Sequence, residues 1–199
     1  MDFQESAKLK EFRELDLGRL YSYAEYLTWS FKERVELLRG KVVKMSPAPS
    51  LRHQEISFRM SGAFFNALKN GDCKAFAAPF DVRLAKPFSD QEDILNVVQP
   101  DLCVICDNSK LDDRGCLGAP DLIVEILSPG SADKDVKQKY QLYEEGGVAE
   151  YWIIHPNEML LEVFVLINGK YNHDRWYSAN EKVNSKAVKG LSVDLSEVF

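Results

Sequence analysis

A chain of 199 residues, 45% hydrophobic and 28% charged, has the size and composition of one ordinary globular domain with a substantial core. Its net charge of −6 argues against a large constitutive nucleic-acid surface, although a carboxylate metal site is itself acidic and a bound cation reverses the local charge. No apolar run approaches the ~20 residues of a membrane-spanning helix, and the N-terminal stretch MDFQESAKLKEFRELDLGRL lacks the apolar segment of a secretory signal, so a cytoplasmic location is expected.

Residues 1–20 read as a charged lead-in, and 21–199 as the domain. Ser22-Tyr23-Ala24-Glu25 has the S-x-x-E form of a capping box and predicts a short helix. Arg34 to Met45 reads as a hairpin turning at Arg39-Gly40, and Pro47 and Pro49 then break the chain. From about Ser50 to Leu68, Ile56, Met60, Ala63, Phe64 and Ala67 recur at helical spacing. Phe80, Val82 and Leu84 alternate with polar residues as in a half-buried strand. Val97–Cys106 and Leu122–Leu127 are continuously apolar, as in strands covered on both faces. The intervening DNSKLDDRGCLGAP reads as a polar loop. Asp133–Glu145 predicts a helix with Val136, Tyr140 and Tyr143 on one side and Gly146 as its C-terminal cap. Glu150–Ile154 is another strand, and Asn168-Gly169 marks a final hairpin. The cysteines at 73, 103, 106 and 116 are too sparse for a disulfide framework and read as buried free thiols.

Two carboxylates stand out. Asp101 follows Pro100 on one strand, and Glu125 lies within the apolar run of the next. Strands ~4.8 Å apart let two such groups share one cation, and oxygen donors suit Mg²⁺ or Mn²⁺. A carboxylate among Val124, Ile126 and Leu127 is costly unless it is paired or binds metal. A structural salt bridge to Lys or Arg answers that cost equally well. Asp135, Lys139 and Tyr143 recur every four residues and line one helical stripe. No G-x-S-x-G, P-loop, G-x-G-x-x-G or H-E-x-x-H motif is present.

The stretches ERVELLRGKVVKMSPAPSLRHQEI, VVQPDLCVICD and GAPDLIVEILSPGSADKDVKQKYQLYEEGGVAEYWIIHP resemble the Uma-type family of candidate restriction endonucleases, within the PD-(D/E)XK nuclease superfamily. The resemblance runs from about Tyr23 to Tyr171. It implies an α/β, restriction-endonuclease-like fold: a mixed central sheet flanked by helices, with N-terminal and C-terminal β-hairpins. It also implies a metal-dependent endonuclease acting on nucleic acid, DNA by expectation, with Asp101, Glu125 and the Ile126 carbonyl holding Mg²⁺ or Mn²⁺. The superfamily lysine would stand two residues after Glu125, where this chain has Leu127; Lys139 is the matching replacement. Glu36 matches an early acidic position, although its neighbours Val35 and Leu37 suggest a strand on which it faces solvent. His53, Glu55 and Asp121 are weaker candidates, Asp121 reading better as a cap at the start of its strand. Arg39 and His155 stand where the family often has Asp. A homodimer is expected by analogy, since cutting two strands needs two sites. The alternatives are a catalytically degenerate binding or assembly module, favoured by Leu127 and the acidic charge, and a phosphoesterase for small nucleotides.

Overall fold

The computed structural model describes residues 9, 11–45, 49–86, 88–128 and 133–199, with side chains in the segment 133–146 described from Val136 onward. Asp135, one of the three helical-stripe residues, therefore lies outside the described side chains. Turn chemistry sets the first hairpin: β1 (Val35–Leu38) and β2 (Lys41–Lys44) pair antiparallel around Arg39 and Gly40. Both turn residues have positive φ, 53° and 77°, which suits the twist of the flanking strands. Before the hairpin, Ser22 and Glu25 cap each other over α1 (Tyr23–Tyr26), as the S-x-x-E spacing predicts.

Helix α2 (Leu51–Leu68) starts where the Ser50 hydroxyl accepts the His53 N–H. Its Ile56, Met60 and Phe64 are fully buried, each burial contributing roughly 1.5–3 kcal/mol. The strands that follow are β3 (Lys74–Ala77), β4 (Val82–Arg83), β5 (Val97–Val98) and β6 (Leu102–Ile105). A small hairpin comes next, β7 (Leu111–Asp112) and β8 (Gly115–Leu117), and then β9 (Leu122–Ile126). Helix α3 (Asp133–Gly146) leads to β10 (Glu150–His155), β11 (Leu160–Ile167) and β12 (Lys170–Ser178). A last pair, β13 (Lys182–Asn184) and β14 (Ser192–Asp194), closes the chain.

The architecture is mixed α/β. The central sheet runs β12-β11-β10-β9-β6-β3, with β9 and β10 parallel across the α3 connection and every other pair antiparallel. A second sheet runs β2-β1-β5-β4-β8-β7. One face of the central sheet packs against α2 through Val104, Val124, Trp152 and Ile154. The other packs against α3 through Ile123, Tyr143, Tyr151 and Ile153. A third cluster ties the hairpin to Leu15, Tyr21 and Tyr23, so part of the N-terminal lead-in is core.

Several sequence expectations need correction. Val97–Cys106 is two strands, because the chain passes from the second sheet to the central one at Pro100-Asp101, where proline cannot donate to a ladder. Phe80–Leu84 shortens to two strand residues, and the polar loop contains the β7–β8 hairpin. Gly146 is the last residue of α3, and Gly147 beyond it takes the left-handed conformation at φ 83°. Cys73 and Cys106 are disulfide-bonded and not free thiols. The antiparallel register Lys74↔Ile105 brings these two flanking residues together. Cys103 and Cys116 are the buried free thiols.

Candidate active site

Asp101 sits at the joint just before β6, and its main-chain carbonyl accepts the Ala78 N–H. Its carboxylate Oδ2 accepts the Ile126 N–H at 2.7 Å, across the strand gap. Glu125 projects from the same sheet toward α3. There the Lys139 ammonium donates to its Oε1 at 2.8 Å, and the Tyr143 hydroxyl, one turn further along α3, donates to the same oxygen at 2.6 Å. Lys139 also reaches Glu36 Oε1 at 3.0 Å. Glu36 is buried, contrary to the expectation that it faces solvent. Its Oε1 accepts the Gln99 N–H at 2.8 Å. The hairpin thus supplies one acid, the central sheet two, and α3 the cation between them.

His53 enters from the N-terminal turn of α2. Its Nε2 lies 3.3 Å from Asp101 Oδ2. Glu36, His53, Asp101, Glu125 and Lys139 line one cleft of about 290 Å³, together with Arg34, Lys44 and Gln99, and Tyr143 stands behind Glu125 outside its lining. Among the described residues, no three His, Cys, Asp or Glu side chains stand ready as a ligand set. Glu125 is instead turned to Lys139 and Tyr143.

Burial dominates the electrostatics. It pushes the Glu125 carboxyl up to about 7 against the pull of Lys139, and the charges of Asp101 and Glu36 push the same way. Burial works against the Lys139 ammonium too, but the Glu125 and Glu36 carboxylates more than offset it, so its pKa lies above the ordinary lysine value. Burial also lowers His53, and contact with Asp101, the charge of Glu125 and the Ile126 carbonyl raise it to a net value above ordinary histidine. Tyr143 is raised far above its usual range by burial and then by the Glu125 charge, so it acts as a neutral donor.

The remaining candidates separate cleanly. Asp121 accepts the Cys106 N–H at 2.7 Å at the start of β9 and does not line the cleft. Glu55 is exposed on α2 and also stands outside it. Lys137 is exposed, as its position about 200° around the helix from Lys139 requires. Gln99 is the site residue that the sequence reading misses, although it directly precedes the Pro-Asp pair, whereas Tyr143 lies on the helical stripe named with Lys139. Arg39, one of the two departures from the family pattern, makes a two-oxygen contact at 2.8 Å with Glu145 of α3, tying hairpin tip to helix. His155, the other, faces Glu162, which also faces His173.

The family Uma2, described as "Putative restriction endonuclease", matches residues 23–196. The chain belongs to the Uma2 family. The Synechocystis sp. protein slr1290, described as uncharacterized, is 25% identical over 182 residues, 88% of this chain and 89% of its own. A crystal structure from Anabaena variabilis, described as a "putative nuclease belonging to DUF820", superposes with a TM-score of 0.65 at 20% identity, covering 89% of this chain and 97% of that one. That likeness shows a shared fold. The Uma2 match brings with it the general divalent-metal dependence of restriction-endonuclease-like families. Among the described residues, no helix is long and apolar enough to cross a membrane.

Proposed function

We propose that this Uma2-family chain is a divalent-metal-dependent endonuclease hydrolysing phosphodiester bonds, with DNA as substrate. The observation that supports it most is the convergence of Glu36, Asp101, Glu125 and Lys139, from four separate elements, on one cleft. A buried lysine between two carboxylates, with a third carboxylate lining the same cleft, goes beyond what folding needs, because ion pairs buried at this depth contribute little net stability.

The residues fit a hard divalent cation. Asp101, Glu125 and the Ile126 carbonyl are oxygen donors of the kind Mg²⁺ and Mn²⁺ take, and burial raises the Glu125 carboxyl, so a cation beside it would favour its ionised form. A cation held there would supply Lewis-acid polarisation of a phosphate oxygen and a lowered pKa for the attacking water. Lys139, released from Glu125, offsets the charge that builds on the phosphoryl oxygens. Glu36 keeps that ammonium aimed into the cleft, and Tyr143 holds the Glu125 side chain in its rotamer. Arg34 and Lys44 line the same cleft and offer positive charge to the phosphate backbone.

The test is cleavage of supercoiled plasmid and single-stranded DNA with Mg²⁺ or Mn²⁺, abolished by chelator and by Asp101→Ala. Metal binding without cleavage of any DNA or RNA would instead support the degenerate module, for which Leu127 is the specific sequence observation.

A further inference from the structure

We propose that His53 is itself a ligand of the cation, and that its nitrogen makes the site prefer a first-row transition ion over Mg²⁺. This inference rests on the metal site proposed above.

His53 is the third residue of α2, and the Ser50 hydroxyl that caps the helix accepts its N–H. That places the imidazole at the mouth of the cleft with only 8% of the side chain exposed. Nδ1 is buried with no hydrogen-bond partner among the described residues. Nε2 therefore carries the polar contacts of the ring. It faces Asp101 Oδ2, and Ile126, whose carbonyl is assigned above to the metal, lines the same cleft. These are two of the three oxygen donors assigned above to the metal. A buried imidazole nitrogen set against a carboxylate oxygen, in the cleft that also holds Glu125, is a pair in which a cation can take the place of the proton between them.

The spacing agrees. The 3.3 Å from Nε2 to Oδ2 lies beyond the ~2.7–3.2 Å of an ordinary N–H···O hydrogen bond. Donors ~2.1 Å from one cation, at angles between octahedral and tetrahedral, stand about 3.0–3.4 Å apart. When a cation replaces the Nε2 proton, the imidazole carries its remaining proton on Nδ1, which no described group ties to a particular tautomer. Glu125 completes the set by leaving Lys139. Nitrogen donors favour ions later in the series Mn²⁺, Fe²⁺, Co²⁺, while Mg²⁺ holds to oxygen and gives up water reluctantly.

The experiment loads the full chain with Mn²⁺ and records pulsed electron paramagnetic resonance. It also measures Mg²⁺, Mn²⁺ and Co²⁺ affinity by calorimetry in wild type and in His53→Gln. The expected result is an echo modulation from directly bound ¹⁴N in wild type and none in His53→Gln. Mn²⁺ and Co²⁺ affinity should fall by about tenfold or more in the variant, with Mg²⁺ changed less, so that the transition-ion preference collapses. Bound Mn²⁺ with no nitrogen modulation in wild type overturns the assignment while leaving the oxygen site standing, and needs no variant to fold. Absence of binding by all three ions overturns both the assignment and the metal site beneath it.

Discussion

Two glutamates on neighbouring strands of the same sheet, Glu125 on β9 and Glu150 on β10, are both withdrawn from water, and they are satisfied in opposite ways. Glu150 is fully buried, and its oxygens accept four neutral donors: the Trp152 indole N–H, the Ser185 hydroxyl and the Lys186 and Ala187 amides. No lysine or arginine approaches it among the described residues. It pins the segment before β14 to the start of β10. Glu125 accepts two hydrogen bonds among the described residues, both on Oε1, and one comes from a lysine shared with a second acid. A carboxylate wrapped in fixed amides is finished as a structural part. Among the described residues, Glu125 is held by side chains alone, one of them a cation.

Breaking each glutamate in turn should separate these roles. The largest expected effect is on catalysis: Lys139→Met should lower cleavage by about two to three orders of magnitude and leave metal binding in place, whereas Lys137→Ala should be silent. Equal effects in plasmid-nicking assays would remove Lys139 from the mechanism. Next comes stability. Glu150→Leu leaves four donors without an acceptor and should cost roughly 3 kcal/mol or more in urea unfolding. Glu125→Gln should cost about 1 kcal/mol or less and yet abolish divalent-metal binding. A reversal of that pattern would mean the two acids have been assigned the wrong way round.

The pH dependence sharpens the same contrast. With its carboxyl raised to about 7 in the metal-free fold, Glu125 must lose a proton before it can bind metal. Affinity should therefore fall by about tenfold per unit as pH drops below 7 and level off above it, with matching proton release in calorimetry. The sign for stability is opposite. Between the unfolded value near 4.5 and 7, the native state keeps a proton that the unfolded chain releases, so this group's contribution to stability declines as pH rises through that window. The smallest effect belongs to Tyr143→Phe, which removes one hydrogen bond to Glu125 and should change metal affinity only about three- to tenfold. A loss as large as that of Glu125→Gln would make Tyr143 more than a support.

Much of this arrangement was legible in the residues. Glu125 stands out because a carboxylate in an apolar strand needs a partner, Asp101 because it lies on the neighbouring strand, and Lys139 because the family resemblance places a lysine on the next helix. The strand and helix periods, the capping box at Ser22 and the Asn168-Gly169 hairpin are local, and local chemistry decides them. What was not legible depends on contacts distant in sequence. The V-E-L alternation around Glu36 is the same whether that face meets water or a cleft, and only the packing of the hairpin against β5 and α3 decides. Cys73 and Cys106 meet through the β3–β6 register, 33 residues apart, which no spacing rule predicts. The β13–β14 pair lacks a strong turn dipeptide. Val97–Cys106 reads as one apolar run although its halves belong to different sheets.

That crossing at Pro100-Asp101 has a consequence for the whole molecule. Gln99, the last residue on the second-sheet side, is stitched in place: its main-chain N–H donates to Glu36, its side-chain Nε2 donates to Asp81, and its side-chain Oε1 accepts from Arg34. Asp101, two residues on, belongs to the other sheet. The site is therefore a pair of calipers, with Glu36 and its grip on Lys139 on one leg, Asp101 and Glu125 on the other, and the pivot at residues 99–101. The Arg39–Glu145 pair ties the hairpin end of one leg to α3, which packs against the other.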